Sequence, residues 1–76
     1  MVVQTDLTDD DIDRLFHALA AATRRDILRR TIESEHSVSA LARDYDMSFA
    51  AVQKHVAVLE EAGLIIKRAE GRELLR

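Results

Sequence analysis

Apolar residues recur along this chain at helical spacing in four places, and an apolar run of strand-forming residues follows near its end. Ile12, Leu15, Phe16 and Leu19 fall three and four positions apart and predict a first helix over about 9–20. Thr8 before Asp9, Asp10 and Asp11 supplies an N-cap followed by negative charge at the helix N-terminus. Residues 1–8 are otherwise expected to fray. Ala21-Ala22-Thr23 interrupts the pattern, with Thr23 the candidate cap of a second helix over about 24–33 that turns Ile27, Leu28 and Ile32 inward. A loop over 34–36 and a strand of one or two residues within His36-Ser37-Val38 lead to a third helix. Ser37 caps it, and Val38, Leu41, Ala42 and Tyr45 face inward. Asp46-Met47 is a tight turn, and Ser48 caps a fourth helix with Val52, Val56, Leu59 and Ala62 on one face. Gly63 suits the left-handed position that ends a helix. Leu64-Ile65-Ile66 is expected to be the first strand of a hairpin, Ala69-Glu70-Gly71 its turn, and 72–76 the second strand.

Two short helices joined by a tight turn, the second with a polar edge of Gln53, Lys54 and His55, have the layout of a helix-turn-helix. A hairpin directly after it makes a winged helix. The expected fold is therefore mostly α with a small β-hairpin: one winged helix-turn-helix domain over 1–76, with about four helices and the wing at 64–76. The chain's 76 residues suffice for one small domain. It has no cysteine, which excludes disulfides and thiolate metal sites. It also lacks an apolar run of the ~20 residues needed to span a bilayer or a signal-like segment, so a cytoplasmic protein is expected.

The formal net charge of −3 argues at first against a polyanionic partner. Its distribution changes that reading. Residues 1–22 hold five aspartates against Arg14, whereas from Leu64 onward Lys67, Arg68, Arg72 and Arg76 face only Glu70 and Glu73. Affinity for DNA depends on local cations meeting phosphates.

With Val52, Val56 and Leu59 in the core, Phe49, Ala50, Gln53, Lys54 and Ala57 lie on the opposite arc of helix four. Gln53 can bond adenine bidentately, and Lys54 can reach guanine or phosphate. Ser48 and the helix N-terminus can hold a phosphate. Phe49 can meet a thymine methyl or instead tuck under the turn against helix three. His55 lies at the core margin, as a structural residue or a phosphate contact. Lys67, Arg68 and Arg72 can straddle a minor groove from the wing. Arg24, Arg25, Arg29 and Arg30 read first as a solvated face, with phosphate contact by one or two of them as the competing reading. No metal site is expected, because the positions one helical turn either side of His55 are Ala51 and Leu59, and His17 and His36 are isolated in sequence. No cofactor is expected either, and no catalytic constellation is visible: Gly63 and Gly71 are explained by a helix end and a turn, and consecutive aspartates cannot converge on one point. The chain is read as a non-enzyme.

The residues Leu15 to Leu28, Ser37 to Ala42, Met47 to Val56 and Leu59 to Ile65 together resemble bacterial repressors of the ArsR family, and the Ser-x-x-x-Val-x-x-His pattern at 48–55 is the most telling part. The resemblance covers most of residues 12–72 and implies a homodimeric winged-helix transcriptional repressor. Three departures stand out. The Cys-x-Cys pair through which many members sense metal is absent from Ala40-Leu41-Ala42-Arg43. The proline that commonly precedes Thr-Arg-Arg is Ala22. The family's helix after the wing is missing from these residues, so a fragment or a reduced interface is expected. Leu7, Ile12, Leu15 and Phe16 are the expected contacts across a two-fold axis. Double-stranded DNA is the expected partner. The alternative is a winged helix used for protein–protein contact without specific DNA binding.

Overall fold

The computed structural model describes residues 7–69 and 73–75. Along the chain run α1 (Asp9–Leu19), α2 (Ala22–Glu33), β1 (His36–Ser37), α3 (Val38–Arg43), α4 (Phe49–Glu61), β2 (Lys67–Ala69) and β3 (Glu73–Leu75). The expected turn residues Glu70 and Gly71, together with Arg72 and Arg76, lie outside the described residues.

Three of the four helices start where hydroxyl caps were expected. Thr8 accepts from the Asp11 amide and Asp11 accepts from the Thr8 amide, closing a capping box that orders Thr8. These bonds, the Thr8 amide foremost and the Arg14 guanidinium next, hold the Asp11 carboxyl below its ordinary range. Ser37 and Ser48 each accept from the amide three residues on. The second helix differs from expectation. It begins two residues early, at Ala22, behind an Ala21 cap that offers no side-chain bond, and Thr23 lies inside it. Ala22 thus takes the first helical position, where a proline would fit without losing a bond. The arginines described below tie that junction from the other side.

Gly63 ends α4 at φ +77°. Its amide donates to the Glu60 carbonyl (2.9 Å) and the Leu64 amide to the Leu59 carbonyl (3.0 Å), the paired bonds of a Schellman end. This reversal corrects the expected first wing strand. Leu64, Ile65 and Ile66 form no strand, because the chain leaving the helix cap drops Ile65 into the core before it reaches a pairing partner. Pairing starts at Lys67 and includes Ala69, which was expected in the turn. The sheet has three strands in the order β1-β3-β2, both pairings antiparallel, with Leu75 opposite His36 on one side and Lys67 on the other.

Among the described residues the core consists of Ala18, Ile27, Val38, Leu41, Val52, Val56, Leu59 and Ile65. Helices α1, α2 and α3 all pack on α4, and α3 also meets the sheet. Ile32 was expected inside and is 73% exposed instead. It lies near the C-terminal end of α2, where the inward position is taken by Thr31, whose hydroxyl donates to the Leu28 carbonyl. Two polar links fix α3 and its turn to α2: Tyr45 donates to Asp26 (2.5 Å), and Arg30 bonds Asp44 (2.6 Å) while lying over the Tyr45 ring. Burial, and then the bond to Asp26, pushes the Tyr45 phenol up.

Candidate nucleic-acid interface

Burying Val52, Val56 and Leu59 forces the other side of α4 outward, since a helix with one apolar stripe presents its remaining arc to solvent. Ser48, Phe49, Ala50, Gln53 and Lys54 are all exposed there. Phe49 is 46% exposed, so it is not absorbed under the turn. The Ser48 hydroxyl is spent on the Ala51 amide. The amides of Phe49 and Ala50, ahead of the first intrahelical bond, have no acceptor within the helix and point along its positive end. The arc therefore carries an amide side chain, a flexible cation and a helix N-terminus within two turns. The acidic Glu60 and Glu61 stand at the far end of α4.

The wing contributes Lys67 and Arg68 on β2. Lys67 is half-buried, and its ammonium lies 3.9 Å from the Glu60 carboxylate. A pair at that distance in water is worth little and yields readily to a phosphate. The backbone of Arg68 pairs with Leu74. Arg72 lies outside the described residues.

Arg24 departs most from what sequence alone indicated, and it meets His55 at the core margin. Arg24 is 9% exposed and belongs to no solvated face. From the first turn of α2 its guanidinium reaches back to α1, where Nε donates to the Ala18 carbonyl (2.9 Å) and Nη2 to the His17 carbonyl (2.7 Å). Its Nη1 lies 3.1 Å from His55 Nδ1 on α4. Arg25 repeats the motif on the surface, donating to the Leu19 carbonyl (2.7 Å). The last turn of α1 is thus closed by two consecutive arginines, with cations meeting carbonyls at the negative end of the helix. The periodicity of α2 gave no warning, because an arginine's burial depends on acceptors from another helix. The interruption read at Ala21-Ala22-Thr23, where α2 folds back beside the end of α1, was the available signal. Burial, and secondarily the Arg24 charge, pushes the His55 imidazole below its ordinary range.

On α1, only Ala18 is fully buried. Leu15 is half-buried, while Ile12, Phe16 and, ahead of the helix, Leu7 are exposed, Phe16 at 71%. An apolar strip thus remains exposed on α1 and ahead of it.

The family profile described as a helix-turn-helix domain matches residues 19–68, from the end of α1 into β2. A solved ArsR family transcriptional regulator, RHA00566, is 32% identical and superposes with a TM-score of 0.81 over 93% of this chain and 73% of its own. The chain belongs to the ArsR family of helix-turn-helix transcriptional regulators. Another solved relative is a homodimeric winged helix-turn-helix DNA-binding domain from Mycobacterium bovis, Mb0332, described as a possible ArsR-family regulator. It is 30% identical, with a TM-score of 0.82 over all of this chain and 74% of its own. The HTH-type transcriptional regulator Rv2034 of Mycobacterium tuberculosis is 42% identical over 59 residues. The chain spans only 55% of that regulator's length. The fold is thus the winged helix-turn-helix of this ArsR family, with α3 and α4 as the helix-turn-helix and β2–β3 as the wing. Among the described residues no group of three histidine, cysteine or acidic side chains is placed to hold a metal ion. No helix among them is long and apolar enough to cross a membrane.

Proposed function

We propose that this ArsR-family chain is a cytoplasmic transcriptional repressor that binds double-stranded DNA in a sequence-specific manner through α4. The carrying observation is the exposed arc of Ser48, Phe49, Ala50, Gln53 and Lys54 at the N-terminal end of α4, a helix whose C-terminal end meets the basic strand β2 through Glu60 and Lys67. In this reading Gln53 and Lys54 address base edges in the major groove, and Phe49 and Ala50 fit against thymine methyls. The Ser48 end of the helix seats on a phosphate. Lys67, Arg68 and Arg72 reach the flanking backbone or minor groove, with Lys67 exchanging Glu60 for phosphate.

The protein acts as a homodimer in this proposal, like the M. bovis domain. The support on the chain itself is the apolar strip of Leu7, Ile12, Leu15 and Phe16. A two-fold axis there presents two copies of α4 to half-sites about 34 Å apart. Selection of binding sequences from a randomised duplex pool, followed by anisotropy titrations over a range of salt, tests the reading. A palindromic consensus whose affinity falls steeply with salt is expected. Failure to enrich any sequence, with no binding even at low salt, would refute it.

A further inference from the structure

The contact between Arg24 and His55 carries chemical information beyond its packing. A guanidinium has donors only, so His55 Nδ1, 3.1 Å from Arg24 Nη1, must be the acceptor with its lone pair free. The proton of the neutral ring then sits on Nε2. No buried side-chain nitrogen or oxygen among the described residues lacks a partner, and Nδ1 takes the hydrogen bond that His55 makes. Nε2 of this half-buried ring therefore reaches solvent. It diverges from Nδ1 across the imidazole, away from Arg24, on a residue that stands at the margin between the buried stripe of α4 and its exposed arc.

We propose that Arg24 is a positioning residue for DNA recognition: it holds His55 in the tautomer whose Nε2–H is offered from the recognition helix as a neutral donor to a DNA phosphate. The inference rests on the DNA-binding reading of α4. Two features fit this role. The guanidinium is itself anchored by the Ala18 and His17 carbonyls, so it cannot swing away from the ring without leaving acceptors at the end of α1. It also spans three helices, so the direction of the His55 donor is set by the same contact that seats α4 on the α1–α2 junction. A donor held in one direction before DNA arrives loses less freedom on binding than a mobile lysine does.

The test has a spectroscopic and a binding arm, both on the 76-residue chain. Long-range proton–nitrogen spectra of the 15N-labelled protein near neutral pH report the tautomer of each histidine ring, and H55Q identifies the His55 signals by their loss. A protonated Nε2 and an unprotonated Nδ1 are expected in the free protein. In anisotropy titrations with a labelled duplex of random sequence, H55Q places an amide nitrogen where Nε2 stands and should bind within about threefold of the parent. H55N, whose amide sits nearer the position of Nδ1, should lose about tenfold, the worth of one hydrogen bond per subunit in a dimer. R24K, whose three donors share one nitrogen and cannot reach acceptors set around Nε, Nη1 and Nη2, should mix the tautomers and lose a similar factor while keeping the parent's circular dichroism. If R24K does not fold, the parent tautomer and the H55Q–H55N pair still decide. A parent ring protonated on Nδ1, or equal affinities for H55Q and H55N, overturns the inference. A parent with the expected tautomer that binds no duplex at low salt overturns the DNA reading and the donor role with it, leaving the ring geometry intact. Binding with the wrong tautomer overturns this inference alone.

Discussion

Replacing Arg24 by methionine separates the buried arginine of this structure from the solvated one its helix pattern implies. A surface arginine in a polar stripe contributes within about 0.5 kcal/mol of nothing. Here methionine keeps most of the stem volume and removes all three bonds of the guanidinium. The His17 carbonyl retains the Ala20 amide as a partner. The Ala18 carbonyl, on a residue that is 0% exposed, and His55 Nδ1 lose theirs. Each buried acceptor left unmet costs about 1–3 kcal/mol. Part of that is returned because a cation is no longer held out of water. The expected loss is about 2–4 kcal/mol, against a total of roughly 4–11 kcal/mol for a domain of this size. Urea melts followed by far-ultraviolet circular dichroism would show the midpoint falling by about 2 M at unchanged slope. A shift below about 0.3 M, corresponding to the surface value, would refute the buried anchor.

The remaining expectations concern pH, a helix end, base reading and assembly. Burial and the Arg24 charge depress the His55 pKa in the folded state, so the neutral ring is the stabilising form. Stability should be complete above the ordinary histidine value of about 6.5 and be lost as pH falls through it toward the depressed folded value. Urea midpoints at descending pH should show this loss in the parent and not in H55Q; identical profiles would count against it. Gly63→Ala meets no atom within 4 Å of the added carbon, so only the left-handed φ of +77° opposes it. A loss of about 1–2 kcal/mol in the same melts is expected, and none if the helix end shifts freely. Gln53→Ala should cost about 1–3 kcal/mol at one base position of a selected duplex and leave random duplex unaffected. Equal loss on both would contradict base reading. Phe16→Glu puts a charge on the 71%-exposed strip of α1 and should leave the melt unchanged while shifting sedimentation at tens of micromolar from dimer toward monomer. An unaltered dimer would place the interface elsewhere.

Local chemistry decided much of this protein before any tertiary contact formed. Thr8, Ser37 and Ser48 cap helices because a side-chain oxygen within reach of a free amide is a property of four consecutive residues. Gly63 ends α4 because the left-handed turn is cheap only for glycine. The stripe of Val52, Val56 and Leu59 then fixed which arc of α4 faces outward, so Gln53 and Lys54 were legible as exposed from spacing alone. Tertiary structure decided whatever depended on a partner distant in sequence. Leu64-Ile65-Ile66 has strand-forming residues, yet the ladder lies at 67–69, because β3 aligns there and the core claims Ile65. Ile32 fits the inward spacing of α2 and is exposed, because the packing of α2 turns Thr31 rather than Ile32 inward at that end of the helix. Arg24 sits among three similar arginines in one helix and is alone among them in being buried. Two carbonyls at the end of α1 and an imidazole on α4 satisfy it there, and only the fold brings those acceptors to one point.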